Sequence, residues 1–313
     1  EILNRLVPLM NELGVKARWD VIKGGDAFYA ATKKFHNALH GEAAEISPRD
    51  YQVYEETQAE NLASMALDAD FVFIHDPQPA GLVKARRPGK NHWIWRCHID
   101  LSRPDPALWE YLKAFVRRYD ACVFSAPSFS QELPILQALI PPSIDPLSDK
   151  NRDLGPAEVD AVLAKLEIPS DKPLVTQVSR FDRLKDPLGV IEAFKRARLY
   201  SDARLLLVGG TADDDPEGAQ VLAEVREKAH KNPDIIVLCL PPTSHLEINA
   251  IQRASTVILQ KSLREGFGLT VAEALWKGKP VIAGAVGGIP MQIAHKYSGI
   301  LTHSVEGTAY WLK

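Results

Sequence analysis

Short apolar runs alternate with amphipathic segments along most of the chain. In the first half, "ARWDVI" (17–22), "DFVFIHD" (70–76), "HWIWRCH" (92–98) and "DACVFSA" (120–126) are short and rich in β-branched or aromatic residues, the pattern of strands. Between them "PALWEYLKAFVRRY" (106–119) carries apolar residues at three- and four-residue spacing, the pattern of a helix with one buried face. The rhythm breaks at "LIPPSIDPLSDKNRDLGP" (139–156), where prolines stand at 141, 142, 146 and 156 and no apolar face recurs. It restarts with "PLVTQVSR" (173–180), "ARLLLVGG" (203–210), "DIIVLCL" (234–240), "STVILQ" (255–260) and "PVIAGA" (280–285). These runs are nearly continuous in apolar character, as expected of parallel strands covered on both faces. The segment "DPLGVIEAFKRARL" (186–199) predicts a helix capped by Asp186 with Pro187 in its first turn. Strands separated by helices imply βαβ units and a parallel sheet. The expected fold class is therefore α/β, with a first domain over 1–143, a linker over 144–156 and a second domain over 157–313.

Composition narrows the function classes without choosing one. The chain has 313 residues, 46% of them hydrophobic and 25% charged, with a formal net charge of -3. That balance carries no basic field for nucleic acid. No apolar run is long enough to cross a membrane. The opening "EILNRLVPLM" has neither the basic start nor the long apolar stretch of a signal peptide. Cys97, Cys122 and Cys239 are far apart, with no metal-binding spacing. Cys122 and Cys239 sit in apolar strand runs and are expected as buried free thiols, which fits a cytoplasmic protein. There is no Walker sequence and no GxSxG nucleophile motif.

Candidate chemistry gathers where strands end, since ligands of parallel α/β sheets bind outside the carboxyl ends of the strands. Arg180 and Lys185 follow the strand 173–180; at a solvated surface they would be inert charges, but at a strand end they can neutralise a diphosphate. A second loop, "LREGFG", lies between the strand 255–260 and the helix that opens with Leu269. Gly266 and Gly268 let backbone approach a ligand, and the helix start offers N–H groups from Gly268 to Thr270, the makings of an anion site. Glu265 and Glu273 flank that start with seven intervening residues. On one straight helix they would lie about 12 Å apart. Hydrolytic carboxylate pairs need roughly 5 to 10 Å. Neither acid suits a bound phosphate, whereas both can accept hydrogen bonds from sugar hydroxyls. In the first domain "HDPQP" (75–79) and "WRCHIDLS" (95–102) place His75, Asp76, Arg96, His98 and Asp100 at two strand ends. The acidic pair Asp213 and Asp215 reads as a polar turn capping the helix near Pro216, with a divalent metal on a nucleotide diphosphate as the alternative.

Taken together, these motifs resemble the retaining glycosyltransferases of family 4, which have the GT-B fold of two Rossmann-like domains facing across a cleft. The resemblance rests on the Glu265–Glu273 element, on the "GKPVIAGAVGGIP" that follows it, and on "QVSRFDRLKDP". It implies that Arg180 and Lys185 bind the donor phosphates, together with Gly268, Leu269 and Thr270, and that Glu273 holds the nucleotide ribose. It implies that Glu265, Gly266, Phe267, Gly268 and His98 contact the donor sugar, with Arg180, Lys185, Glu265 and His98 as the catalytic set. Asp76, Gln78, Arg96 and Asp100 are candidates for the acceptor. The segments "FHNALHG", "HDPQPA", "WRCHIDLS", "PPSIDPLS" and "DDDPEG" look like the trehalose glycosyltransferring synthases, close also to trehalose phosphorylases. The implied reaction joins glucose from a nucleotide-diphosphate glucose to free glucose, giving trehalose reversibly. No cofactor is implied, beyond a Mg2+ accompanying the nucleotide sugar. The sequence leaves the oligomeric state open, with a homodimer as one candidate. The family also implies a Gly-Gly loop before the first helix and closing helices after the last, and both ends of this sequence are expected to lack them. Rival readings are a phosphorylase using inorganic phosphate, a non-catalytic sugar or nucleotide binder, and a glycosidase using Glu265 and Glu273.

Overall fold

The computed structural model describes residues 2–210 and 216–313, and its chain divides into two compact units, Glu1–Pro142 and Ser143–Lys313. Asp213 and Asp215 lie outside the described residues, so their two readings stand as stated.

The first unit holds helices α1 (Ile2–Glu12), α2 (Asp26–Leu39), α3 (Pro48–Ser64) and α4 (Pro106–Val116), and strands β1 (Phe71–His75), β2 (His92–Arg96), β3 (Ala121–Phe124) and β4 (Leu136–Leu139). The four strands are parallel and lie side by side in chain order. Helix α3 begins in a reciprocal cap: Asp50 N–H donates to Ser47 Oγ, and Ser47 N–H donates to the Asp50 carboxylate. The core joins α2, α3 and α4 to the sheet through Phe28, Phe35, Tyr54, Leu108, Trp93, Trp95 and Phe124, all essentially buried. Aromatic side chains of this size contribute a large share of core burial energy.

One expectation fails in this unit, and one strand goes unforeseen. Residues 17–22 form no strand and are largely exposed. A strand needs a ladder neighbour, and here side chains supply the backbone's partners instead. Asn11 bonds both the N–H and the C=O of Ala17, and Asn61 does the same for Lys23. Conversely, β4 was hidden because its four residues are short, mixed in polarity and only partly covered at a sheet edge.

The second unit holds α5 (Pro156–Lys165), α6 (Pro187–Ala197), α7 (Pro216–Ala229), α8 (His245–Ala254), α9 (Leu269–Trp276) and α10 (Val305–Leu312). Its strands are β5 (Leu174–Val178), β6 (Arg204–Gly209), β7 (Ile235–Cys239), β8 (Val257–Gln260), β9 (Val281–Gly284) and β10 (Ile300–Thr302). All are parallel, in the order β10-β9-β8-β5-β6-β7. Strands β5 and β9 are buried throughout, as their unbroken apolar runs predict. Asp186 caps α6 by accepting from Gly189 N–H at 3.0 Å. Cys122 is buried, but Cys239 is exposed, against expectation. It ends β7, the edge strand of this sheet, where a neighbour is lacking on one side. Among the described residues no helix is long and apolar enough to cross a membrane.

Candidate active site

Strand order locates the site in the second unit. From β5 the sheet grows one way through β6 and β7, and the other way through β8, β9 and β10. The loops leaving β5 and β8 therefore diverge, and the opening at their carboxyl ends is where an open parallel sheet binds its ligand. The loop after β5 carries Arg180 and Lys185, and the loop after β8 carries Glu265. The fold brings these two loops together: Lys185 Nζ is 2.6 Å from Glu265 Oε2.

Each loop is held from behind. Gln177, buried in β5, donates to the Lys185 carbonyl at 2.7 Å. Asp182 Oδ1 accepts from Leu184 N–H at 2.7 Å, and Arg180 lies 3.4 Å from its other oxygen. Asp186 takes a left-handed backbone conformation (φ 48°), uncommon outside glycine, and its carboxylate is ion-paired with buried Lys261. Glu265 accepts from Gln260 at 3.2 Å and Ser262 at 3.0 Å besides Lys185. Burial pushes the Glu265 carboxyl upward, but the Lys185 charge and these donors outweigh it and hold the acid below its ordinary range. Glu265 is thus an ionised acceptor, poorly suited to give a proton to a leaving group, which weighs against the glycosidase reading.

Helix α9 starts beside this pair. Gly268 is its N-cap with φ 87°, a conformation that favours glycine, and Gln292 Nε2 donates to the Phe267 carbonyl at 2.5 Å. Thr270 Oγ1 donates to the Val178 carbonyl at 3.1 Å, tying the helix start to the end of β5. Close backbone approach explains further glycines that the sequence reading left without a role. A Cβ at Gly209 would stand 1.7 Å from the Ser179 carbonyl oxygen, and one at Gly287 would stand 1.6 Å from that of Glu265. Glu273, one turn into α9, is 1% exposed and receives Lys150 at 2.8 Å and Gln252 at 3.0 Å. None of Gln177, Lys261, Gln260, Ser262, Gln292, Lys150 or Gln252 was singled out from sequence. They lie in strands, loops, a proline-rich segment and a helix, with no motif spacing to flag them.

In the first unit the structure gathers His75, Asp76, Arg96 and His98 at the ends of β1 and β2, which are paired His75 to Arg96. His75 Nδ1 and His98 Nε2 are 3.0 Å apart and the rings stack. Asp76, also left-handed at φ 68°, accepts from His98 N–H at 2.7 Å and so fixes the backbone that carries the imidazole. Arg96 is buried and donates to the Ile140 carbonyl and to Ser125. Asp100 accepts from Ser102 N–H at 2.9 Å. Of the acceptor candidates, these three side chains thus hold local structure, while Gln78 borders a narrow crevice with Thr32, Phe35, His36, Pro77 and Ile99 that has no room for a water molecule. Among the described residues no cluster of His, Cys, Asp or Glu is placed to hold a metal ion.

The histidine pair makes a pH prediction. Burial, aided by the Arg96 charge, lowers His98 to about 4, and burial followed by His98 lowers His75. Burial raises Asp76 to about 6. A histidine with a depressed folded value stabilises the protein above its ordinary 6.5, and that contribution is lost as pH falls through about 4. Asp76 works oppositely: its contribution is full below 3.8 and lost as pH rises through about 6. Removing His98 leaves Asp76 and removes the main acid-sensitive term. Between pH 7 and pH 4 the melting temperature of wild type is therefore expected to fall more steeply than that of His98→Gln. Equal slopes would rule out a buried neutral imidazole.

Comparison with known proteins places this geometry. The α,α-trehalose-phosphate synthase (UDP-forming) from Burkholderia xenovorans superposes with a TM-score of 0.75 at 15% identity, over 92% of this chain and 76% of that one. The sucrose-phosphate synthase of Thermosynechococcus elongatus gives 0.67 at 20% identity, over 85% and 70%. The fold is thus that of the GT-B glycosyltransferases, with two α/β units of parallel sheet. Residues 1–131 match the family described as trehalose synthase, N-terminal domain, and residues 159–310 match glycosyl transferases group 1. The trehalose synthase of Pyrococcus horikoshii is 46% identical over the whole of this chain and 78% of its own length. That of Rubrobacter xylanophilus is 42% identical over 99% of this chain and 76% of its own. A trehalose phosphorylase from Pleurotus pulmonarius is 29% identical over 95% of this chain and 47% of its own. The chain belongs to the trehalose synthase family and is a hexosyltransferase.

Proposed function

We propose that this enzyme transfers glucose, with retention of the α configuration, from a nucleotide-diphosphate glucose to free glucose, forming α,α-trehalose in a reversible reaction in the cytoplasm. The observation that carries the reading is the Lys185–Glu265 pair at the divergence of β5 and β8. An ammonium already fixed on an ionised carboxylate needs no reorganisation when charge develops on a leaving diphosphate. One of its N–H groups serves Glu265, and the others would serve the phosphate. Arg180, on the same loop, would add a second cation in fork geometry. Glu265, as a fixed acceptor, would accept hydrogen bonds from hydroxyls of the donor sugar, and Glu273 from those of the ribose.

Among the described residues no carboxylate stands as an evident nucleophile, since Glu265 is engaged in its ion pair. In the mechanism proposed, the C–O bond to the diphosphate breaks and the acceptor hydroxyl attacks from the face that the diphosphate leaves. The departing phosphate oxygen takes the acceptor proton. His98, neutral near pH 7, would serve the donor sugar as a hydrogen-bonding group rather than as a cation.

The test is product analysis. Trehalose incubated with ADP, UDP or GDP should yield glucose and the matching nucleotide-diphosphate glucose, and the forward mixture should yield trehalose with one nucleoside diphosphate released per turnover. Release of glucose 1-phosphate from trehalose and inorganic phosphate, without any nucleotide dependence, would overturn the reading in favour of a phosphorylase.

A further inference from the structure

Glu273 is deeply buried, yet two donors reach it from outside its own helix. Lys150 comes from the irregular segment that precedes α5 and places Nζ 2.8 Å from Glu273 Oε1. Gln252, on α8 and fully buried, donates from Nε2 to Glu273 Oε2 at 3.0 Å. The glutamine cannot easily turn over. Lys277 Nζ donates to Gln252 Oε1 at 2.7 Å and to Asn151 Oδ1 at 2.8 Å, so the amide oxygen faces a cation and the amide N–H faces the carboxylate. The segment bearing Lys150 is itself fastened. Asn249 Nδ2 donates to the carbonyls of Asp149 and Arg152, and Arg253 Nη2 donates to those of Asn151 and Arg152.

The consequence is a carboxylate held in direction from two sides, by Lys150 and by Gln252. A hydrogen bond between an ammonium and a carboxylate is roughly twice as strong as a neutral one. An ionised carboxylate has about four lone-pair positions, two on each oxygen. Lys150 and Gln252 take one position on different oxygens. Each oxygen then keeps one acceptor position.

We propose that Lys150 is a positioning residue for ribose recognition: it orients Glu273 to accept from the 2′- and 3′-hydroxyls of the donor nucleotide. The proposal rests on the reading of Glu273 given above, and it makes sugar discrimination depend on a lysine outside the strand-end loops.

Binding of ADP, UDP and GDP to the full chain, measured by calorimetry, identifies the tightest of the three. The 2′,3′-dideoxy form of that nucleotide is then compared in wild type, Lys150→Met, Lys150→Arg and Glu273→Gln, with melting temperatures recorded in parallel. Wild type should prefer the ribo form by about 10-fold or more, the size of one or two charge-assisted hydrogen bonds. Lys150→Met should bring that preference below about 3-fold while the dideoxy affinity changes little, and Lys150→Arg should keep most of it. Should Lys150→Met fail to fold, Lys150→Gln, which keeps an N–H donor without the charge, is read the same way. Retention of the full preference in the Met or Gln variant, or equal weakening of both nucleotides, overturns the role of Lys150 alone. Absence of any preference in wild type overturns the ribose reading of Glu273 and the proposal with it.

Discussion

Replacing Lys185 with alanine is expected to slow turnover by roughly 100-fold or more, the loss of about 3 kcal/mol of transition-state stabilisation. The same change removes the cation beside buried Glu265, and breaking a buried pair from one side typically costs about 3–5 kcal/mol of stability. Three variants separate the two effects. Arg180→Ala removes a half-exposed cation and should lower turnover with little change in melting temperature. Lys185→Ala should lower both. Lys185→Ala with Glu265→Gln removes the charge with its partner, and should recover stability without recovering turnover. Steady-state kinetics at saturating donor, paired with calorimetry, reads all three. Unchanged turnover in both single alanine variants would sink the assignment of these cations to the leaving group.

Gly287→Ala should be the most damaging glycine substitution in the second unit. Its φ of 56° already disfavours a side chain, and the added methyl would stand 1.6 Å from the Glu265 carbonyl oxygen, so backbone must move. The displaced carbonyl belongs to the residue paired with Lys185, so activity and stability should fall together: about 3 kcal/mol or more in stability and at least about 10-fold in turnover. Gly278→Ala supplies the contrast. It has a similar φ of 68°, but a Cβ there would meet nothing within 4 Å. Its cost is the conformational one alone, about 1–2 kcal/mol, with turnover unchanged. If the two variants melt and turn over alike, close approach at Gly287 is not the reason for glycine there.

These cases show which features the sequence makes legible. The buried strands of the second unit, the Asp186 cap and the loop bearing Arg180 and Lys185 all follow from local signals: unbroken apolar runs, a capping residue, charges just past a strand. The edge strands were harder. β4 and β10 span four and three residues, and β7, although apolar, leaves Cys239 exposed because its burial depends on a neighbour rather than on its own residues. Residues 17–22 mislead for the opposite reason: their pattern suits a strand, but the partners of the neighbouring backbone are the side chains of Asn11 and Asn61. Glu265 and Glu273 were visible as a spaced pair, but their environments were not. The groups that set those environments, Lys185 and Lys150, lie 80 and 123 residues earlier and come close only through the tertiary fold.

The segment leading into α5 looks in sequence like a domain linker, rich in proline and without periodicity. Structurally it belongs to the second unit from Ser143 onward, fastened through Asn249, Arg253 and Lys277 to the body that holds Glu273. That sets where this enzyme can be recombined with its relatives. A chimera exchanging the first unit has its natural junction before Ser143. A junction at Pro156 would import a foreign Lys150 position and rebuild part of the second unit along with the first.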